Sequence, residues 1–138
     1  MKLSVKSDYA ARAVLGLARH HASGRAVRVE SLAEEQGIPP KYLVQILIEL
    51  KGQQIVKSVR GKEGGYLLAK APSEVSMGDV LRCINGTVFD TPALEDPNCP
   101  EELQNAWRKM QIALETTADG LNFEELSEDA ERQKMFYI

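Results

Sequence analysis

Apolar positions recur at helical spacing near the N-terminus, where Tyr9, Ala13, Val14, Leu17 and Ala18 fall on one face of a helix predicted from Asp8 to about His21. Ser7 is placed to cap its first turn, and Ser23-Gly24 supplies the stop. The pattern then alternates, with Val27 and Val29 set among Ala26, Arg28 and Glu30, which predicts a very short strand. A brief helix follows over 31–36, closed by Gly37. Pro39-Pro40 opens another, with Leu43, Ile46, Leu47 and Leu50 on its inner face and Gly52 after its end. A short helix, a glycine turn and a second helix make a helix-turn-helix. Strand-like runs over 54–60 and 66–70 flank Gly61-Lys62-Glu63-Gly64-Gly65, so a β-hairpin wing comes next.

Beyond Pro72 the period stays helical. Ser76-Met77-Gly78-Asp79 reads as a capping box ahead of Val80, Leu81 and Ile84, and Asn85-Gly86 closes that helix. Residues 86–100 hold Asp90, Pro92, Asp96, Pro97 and Pro100 without a period, and predict an irregular loop. From Glu101 to Thr117, Leu103, Trp107, Met110, Leu114 and Thr117 repeat at 4-3-4-3 spacing, the seam of a helix pair. About two heptads do not specify a coiled coil unaided. The seam therefore packs on its own chain or pairs with a second copy, and a homodimer is expected because DNA readers often match a two-fold site. Residues 128–134 are polar and predict a mobile tail, which finishes in Met135-Phe136-Tyr137-Ile138. The expected fold is mainly α with a small β-hairpin wing. A winged helix-turn-helix DNA-binding domain occupies 1–72; an effector loop, a long dimerisation helix and the tail occupy 73–138.

Charge sharpens this picture. Residues 1–70 hold 12 Lys and Arg against 6 Asp and Glu, a balance of +6, whereas residues 71–138 hold 5 against 14, a balance of −9. A basic half can neutralise phosphates and gain from counterion release while the acidic half stays off them. The second helix of the motif presents Pro40, Lys41, Gln45 and Glu49 outward, with Lys41, Tyr42 and Gln45 in the N-terminal half that reaches base edges. Gln pairs with adenine, and Lys reaches guanine or phosphate. Arg60 leads into a thin glycine tip, suited to a minor groove. The tip lacks the Gly-x-x-x-x-Gly-Lys-Ser/Thr of a phosphate loop, and there is no nucleophile–base constellation, so an enzyme is not expected. No apolar run approaches the roughly 18–20 residues that span a bilayer. The N-terminus also lacks a signal peptide's apolar segment, so a cytoplasmic protein without membrane contact is expected.

Three segments carry a resemblance. Lys-Ser-Asp-Tyr-Ala-Ala-Arg-Ala at 6–13, Gln-Gly-Ile-Pro-Pro-Lys-Tyr-Leu at 36–43 and Val-Arg-Gly-Lys-Glu-Gly-Gly-Tyr-Leu-Leu at 59–68 resemble the Rrf2 family of bacterial winged-helix regulators across essentially the whole chain. The resemblance implies a homodimer crossed through the long helices and bound to a palindromic operator in double-stranded DNA. It puts Lys41, Tyr42 and Gln45 in the major groove, Arg60 with Gly64 and Gly65 at the minor groove beside Lys62, and Lys6 on a phosphate. Leu103, Trp107, Met110 and Leu114 would form the dimer seam.

The effector is less plainly written. Cluster-binding members of the family carry three cysteines in the loop before the long helix; here that loop offers Cys99 alone. Asp8 stands where some relatives supply a carboxylate ligand, and Cys83 reads as packed. An iron–sulfur cluster needs about four protein ligands, so no cofactor is expected, and a redox- or cluster-responsive regulator is the alternative. His20-His21 is not expected to bind metal, since adjacent residues point to different sides of a helix. The last four residues resemble the end of the family's cysteine-metabolism repressors. That likeness implies cysteine synthase as a partner that receives Phe136, Tyr137 and Ile138, with the terminal carboxylate in its substrate site. A winged helix that binds a partner enzyme but no DNA is the remaining reading.

Overall fold

The computed structural model describes residues 2–136, and side chains as far as residue 129. Helix α1 runs Val5–His20 and is the hub: Ala10, Ala13, Val14 and Leu17 are buried, and four other α-helices pack against it, whereas α5 (Glu101–Gly120) makes no extensive contact with it. Its cap is Ser4, whose hydroxyl accepts from the Ser7 amide at 3.2 Å. Ser7, expected to cap, lies inside the first turn instead, because the helix starts three residues earlier than its apolar face. It is buried there, and its hydroxyl accepts from Asn85 Nδ2 at 2.9 Å.

The helix-turn-helix is α2 (Val29–Gln36) and α3 (Pro40–Gly52). They join at Gly37, whose φ of 65° is the left-handed cap that a glycine takes without steric penalty. Leu43, Ile46, Leu47 and Leu50 are fully buried beneath α1. Gly52 is still helical, and Gln54, at φ 61°, makes the left-handed turn into the wing. Strands β1 (Val56–Val59) and β2 (Gly65–Leu68) pair antiparallel in the register Val56 to Leu68 and Val59 to Gly65. The short strand expected around Val27 and Val29 shrinks to one residue. Val27 exchanges two 2.8 Å backbone hydrogen bonds with Tyr66, while Val29 already begins α2.

A 3-10 turn, Pro72–Glu74, leads to α4 (Met77–Asn85), which carries the anticipated capping box: Asp79 N donates to Ser76 Oγ at 3.1 Å and Ser76 N to Asp79 Oδ2 at 3.0 Å. The loop after α4 contains one 3-10 turn, Pro92–Leu94. It is stitched to α5 by Gln104 Nε2, which donates to the carbonyls of Ala93 and Asp96, and by Gln111 Nε2, which donates to that of Phe89. The run expected to be a mobile tail is helix, α6 (Phe123–Phe136). Its first residue explains the difference. Phe123 is buried in the common core, its amide donates to Val75 O at 3.0 Å, and α6 packs on α1.

Candidate nucleic-acid interface

Proline at the first position of α3 and the glycine turn before it set the helix so that its apolar stripe faces α1. The opposite stripe is then open. Lys41, Tyr42 and Gln45 are exposed there, and with Lys6, Ile46 and Glu49 they line a shallow cleft of about 560 Å³. Tyr42 meets Tyr9 of α1 edge to face, with centroids 6.0 Å apart, and Arg12 lies 5.5 Å from the Tyr9 ring. Lys6 Nζ sits 2.7 Å from Glu49 Oε2 and 2.9 Å from Oε1, so it reaches the edge of α3 and is paired there with a carboxylate.

On the wing, Arg60 and Lys62 are exposed, and Gly64 and Gly65 are half-buried. The glycines answer to close backbone approach. A Cβ on Gly65 would stand 2.2 Å from Val27 O, and one on Gly64 would stand 2.4 Å from Val59 O. Sequence reasoning missed Arg28, whose Nη2 donates to the Lys62 carbonyl and ties the turn before α2 to the wing tip. That bond spans 34 residues, and no local pattern signals it. Arg25, Arg28 and Lys62 line the adjoining cleft together with Glu35 and Glu63.

The proposed cluster ligands stand in other bonds. Asp8 pairs with Arg12 at 2.8 Å. Cys83 Sγ donates to Glu49 O at 3.4 Å, and burial pushes its thiol up, with Glu49 adding to the rise. Cys99 is half-buried in the loop before α5. Among the described residues no three His, Cys, Asp or Glu side chains gather as a metal site, and these donors do not fit a cluster that needs about four thiolate-like ligands. His20 faces Glu35 at 3.0 Å, and His21 begins the 3-10 turn His21–Ser23.

The anticipated seam divides. Leu103 and Met110 are 46% and 48% exposed, and Ile112, outside the expected spacing, is 59% exposed. Trp107 and Leu114 are half-buried, and Trp107 stacks on Phe89 of its own loop at 6.4 Å. In α5 only Ala118 is buried, so one chain leaves most of this helix uncovered. No helix among the described residues is long and apolar enough to cross a membrane. Tyr137 and Ile138, with the side chain of Phe136, lie outside the described residues.

Comparison with known proteins agrees with this geometry. The sequence profile of the Rrf2 family, described as that of an iron-dependent transcriptional regulator, matches residues 3–129. Rv1287, a helix-turn-helix-type protein of Mycobacterium tuberculosis, is 39% identical over 124 residues, covering 86% of this chain and 76% of that protein. The transcriptional regulator CymR of Bacillus subtilis is 30% identical over 141 residues, with both chains wholly covered. The solved structure of that CymR, the global cysteine regulator, superimposes with a TM-score of 0.83 at 27% identity, covering 93% of this chain and 97% of that one. The T. potens IscR structure gives 0.80 at 31% identity, covering 96% and 90%.

Proposed function

The chain belongs to the Rrf2 family of transcriptional regulators, DNA-binding winged-helix proteins rather than enzymes, and from that premise we propose that it acts as a homodimer on a palindromic operator and represses genes of cysteine metabolism. The observation that carries the DNA side is the open stripe of Lys41, Tyr42 and Gln45 on α3, together with the exposed Arg60 and Lys62 on a wing held by Val27 and Arg28. Lys41 and Gln45 offer hydrogen bonds to base edges, and Arg60 a cation for a narrow minor groove. The dimer reading draws on the uncovered Leu103 and Met110, seven residues apart on one face of α5, apolar side chains that a second α5 would bury.

The cysteine reading draws on the full-length likeness to CymR and on the tail Met135-Phe136-Tyr137-Ile138. In this proposal cysteine synthase takes Ile138 and its carboxylate into the substrate pocket, and O-acetylserine competes for the same place. By linkage, an enzyme that favours the DNA-competent dimer tightens operator binding by the factor with which DNA tightens enzyme binding. Neither a cluster nor a metal takes part.

A labelled peptide ending Lys134-Met135-Phe136-Tyr137-Ile138 tests the tail, with its C-terminal amide as control. Micromolar or tighter binding to cysteine synthase, lost on amidation and competed by O-acetylserine, is expected. Absence of binding rejects the enzyme as sensor, and so does equal operator affinity with and without it. The DNA side is tested separately by a binding constant that falls steeply with salt.

A further inference from the structure

Helix α3 carries two apolar side chains that the core does not use. Val44 is 41% exposed and Ile48 is 53% exposed, whereas Leu43, Ile46, Leu47 and Leu50 of the same helix are fully buried. Their position is the informative part. Lys41, Val44, Gln45 and Ile48 stand at i, i+3, i+4 and i+7, which sets all four on one helical face. That spacing is the one at which a helix in the major groove reaches successive base edges. Helix stability does not account for the choice, because β-branched residues at exposed helical sites are poorer formers than Ala, Glu or Lys. Exposed apolar residues scattered singly call for no explanation, but this pair is contiguous and interleaved with the two polar residues of the proposed readout.

We infer that Val44 and Ile48 read the 5-methyl groups of thymine, so that α3 combines hydrogen-bond readout by Lys41 and Gln45 with apolar readout by its two β-branched neighbours. The physical basis is direct. The thymine methyl is the one apolar feature displayed in the major groove, and an apolar side chain against it removes both surfaces from water. The continuity of the strip with Lys41 and Gln45 argues for DNA as its occupant rather than a protein. This inference rests on the operator-binding reading above and narrows it: operator half-sites carry thymine opposite Val44 and Ile48.

The experiment starts from an operator selected out of random duplex DNA with the full-length protein, then compares that duplex with one containing deoxyuridine at each thymine in turn. Uracil keeps the pairing and lacks only the methyl. Wild-type affinity is expected to fall about fourfold for each contacted methyl removed, the fold-change corresponding to one buried methyl group. In Ile48→Ala and Val44→Ala the thymine and uracil duplexes are expected to bind alike at the contacted positions. Alanine is the better helix former, so a folding defect does not enter. Salt-dependent binding of the selected operator with no uracil penalty at any position overturns the apolar readout and leaves the operator reading standing. A uracil penalty retained in full by both Ala variants also overturns it, since the methyl would then act through duplex shape. Unchanged DNA binding with a loss of dimer in the Ala variants assigns the strip to a second copy and overturns it as well. Failure to select any duplex overturns the operator reading itself, and the methyl readout with it.

Discussion

Lys6 of α1 and Glu49 of α3 form an ion pair, 2.7 Å from Nζ to Oε2, at the edge of the cleft that Lys41, Tyr42 and Gln45 also line. A carboxylate there borders the surface proposed to meet DNA, and it pairs with the Lys6 ammonium. Glu49→Gln removes that charge and frees Lys6. Affinity for random duplex DNA is expected to rise several-fold, with a salt slope steeper by about one phosphate contact. Titration at two or more salt concentrations checks this; an unchanged slope would show that Lys6 does not reach DNA.

The hydrogen bond from Arg28 to the Lys62 carbonyl makes the wing tip part of the body of the protein. Arg28→Ala is expected to weaken operator binding by about 1 kcal/mol, the net worth of one such bond. Amide exchange over 61–64 should quicken at the same time, whereas loss of a mere phosphate contact would leave exchange alone. Arg60→Ala, by contrast, should cost about 1–3 kcal/mol with the wing intact.

Met110, nearly half exposed on α5, is the clean probe of the proposed dimer. Met110→Asp puts an unpaired charge where a second copy would bury it, at little cost to the single chain. Sedimentation should show a monomer at concentrations where the wild type is dimeric. Leu114→Asp is the less specific change, because Leu114 is already half-buried within its own chain.

Arg82 grips Asp119 with two hydrogen bonds of 2.8 Å, joining α4 to α5. Those bonds chiefly hold the Asp119 carboxyl below the usual carboxylate range, against a smaller upward push from burial. A depressed folded pKa contributes stability above the unfolded value of about 3.9, and that stability is lost as pH falls through the lower folded value. Both side chains keep more than a third of their surface in water, so the contribution is about 0.5 kcal/mol. Asp119→Asn should be less stable than wild type by that amount at pH 7, with the gap shrinking below about pH 4. Denaturant titrations at the two pH values decide it, and an equal gap at both would remove the pair as the cause.

Phe123 anchors α6 at 1% exposure. Phe123→Ala should cost about 3–5 kcal/mol in unfolding free energy, the range for emptying a buried aromatic site. A loss below 1 kcal/mol would mean that α6 docks without it.

The helix-turn-helix, the wing and the capping box were legible in the chain because each rests on contacts between near neighbours: apolar residues three and four apart, a glycine in the left-handed region at 37, and a serine and an aspartate three apart at 76 and 79. The outward placement of Lys41 and Gln45 was legible for the same reason, since the inner face of a helix defines its outer one. Local pattern could not separate Ser4 from Ser7 as the cap, because either hydroxyl can meet an amide near the start of a helix. Nor could it find α6, a helix polar along most of its length that is held to the core through Phe123 and Leu126. Val44 and Ile48 show the same boundary within one helix. In the chain they are apolar residues among apolar residues. Packing of α3 on α1 buries Ile46 and Leu47 and leaves those two outside, so the division between core and exposed face belongs to the tertiary structure, where burial depends on which face a distant element covers.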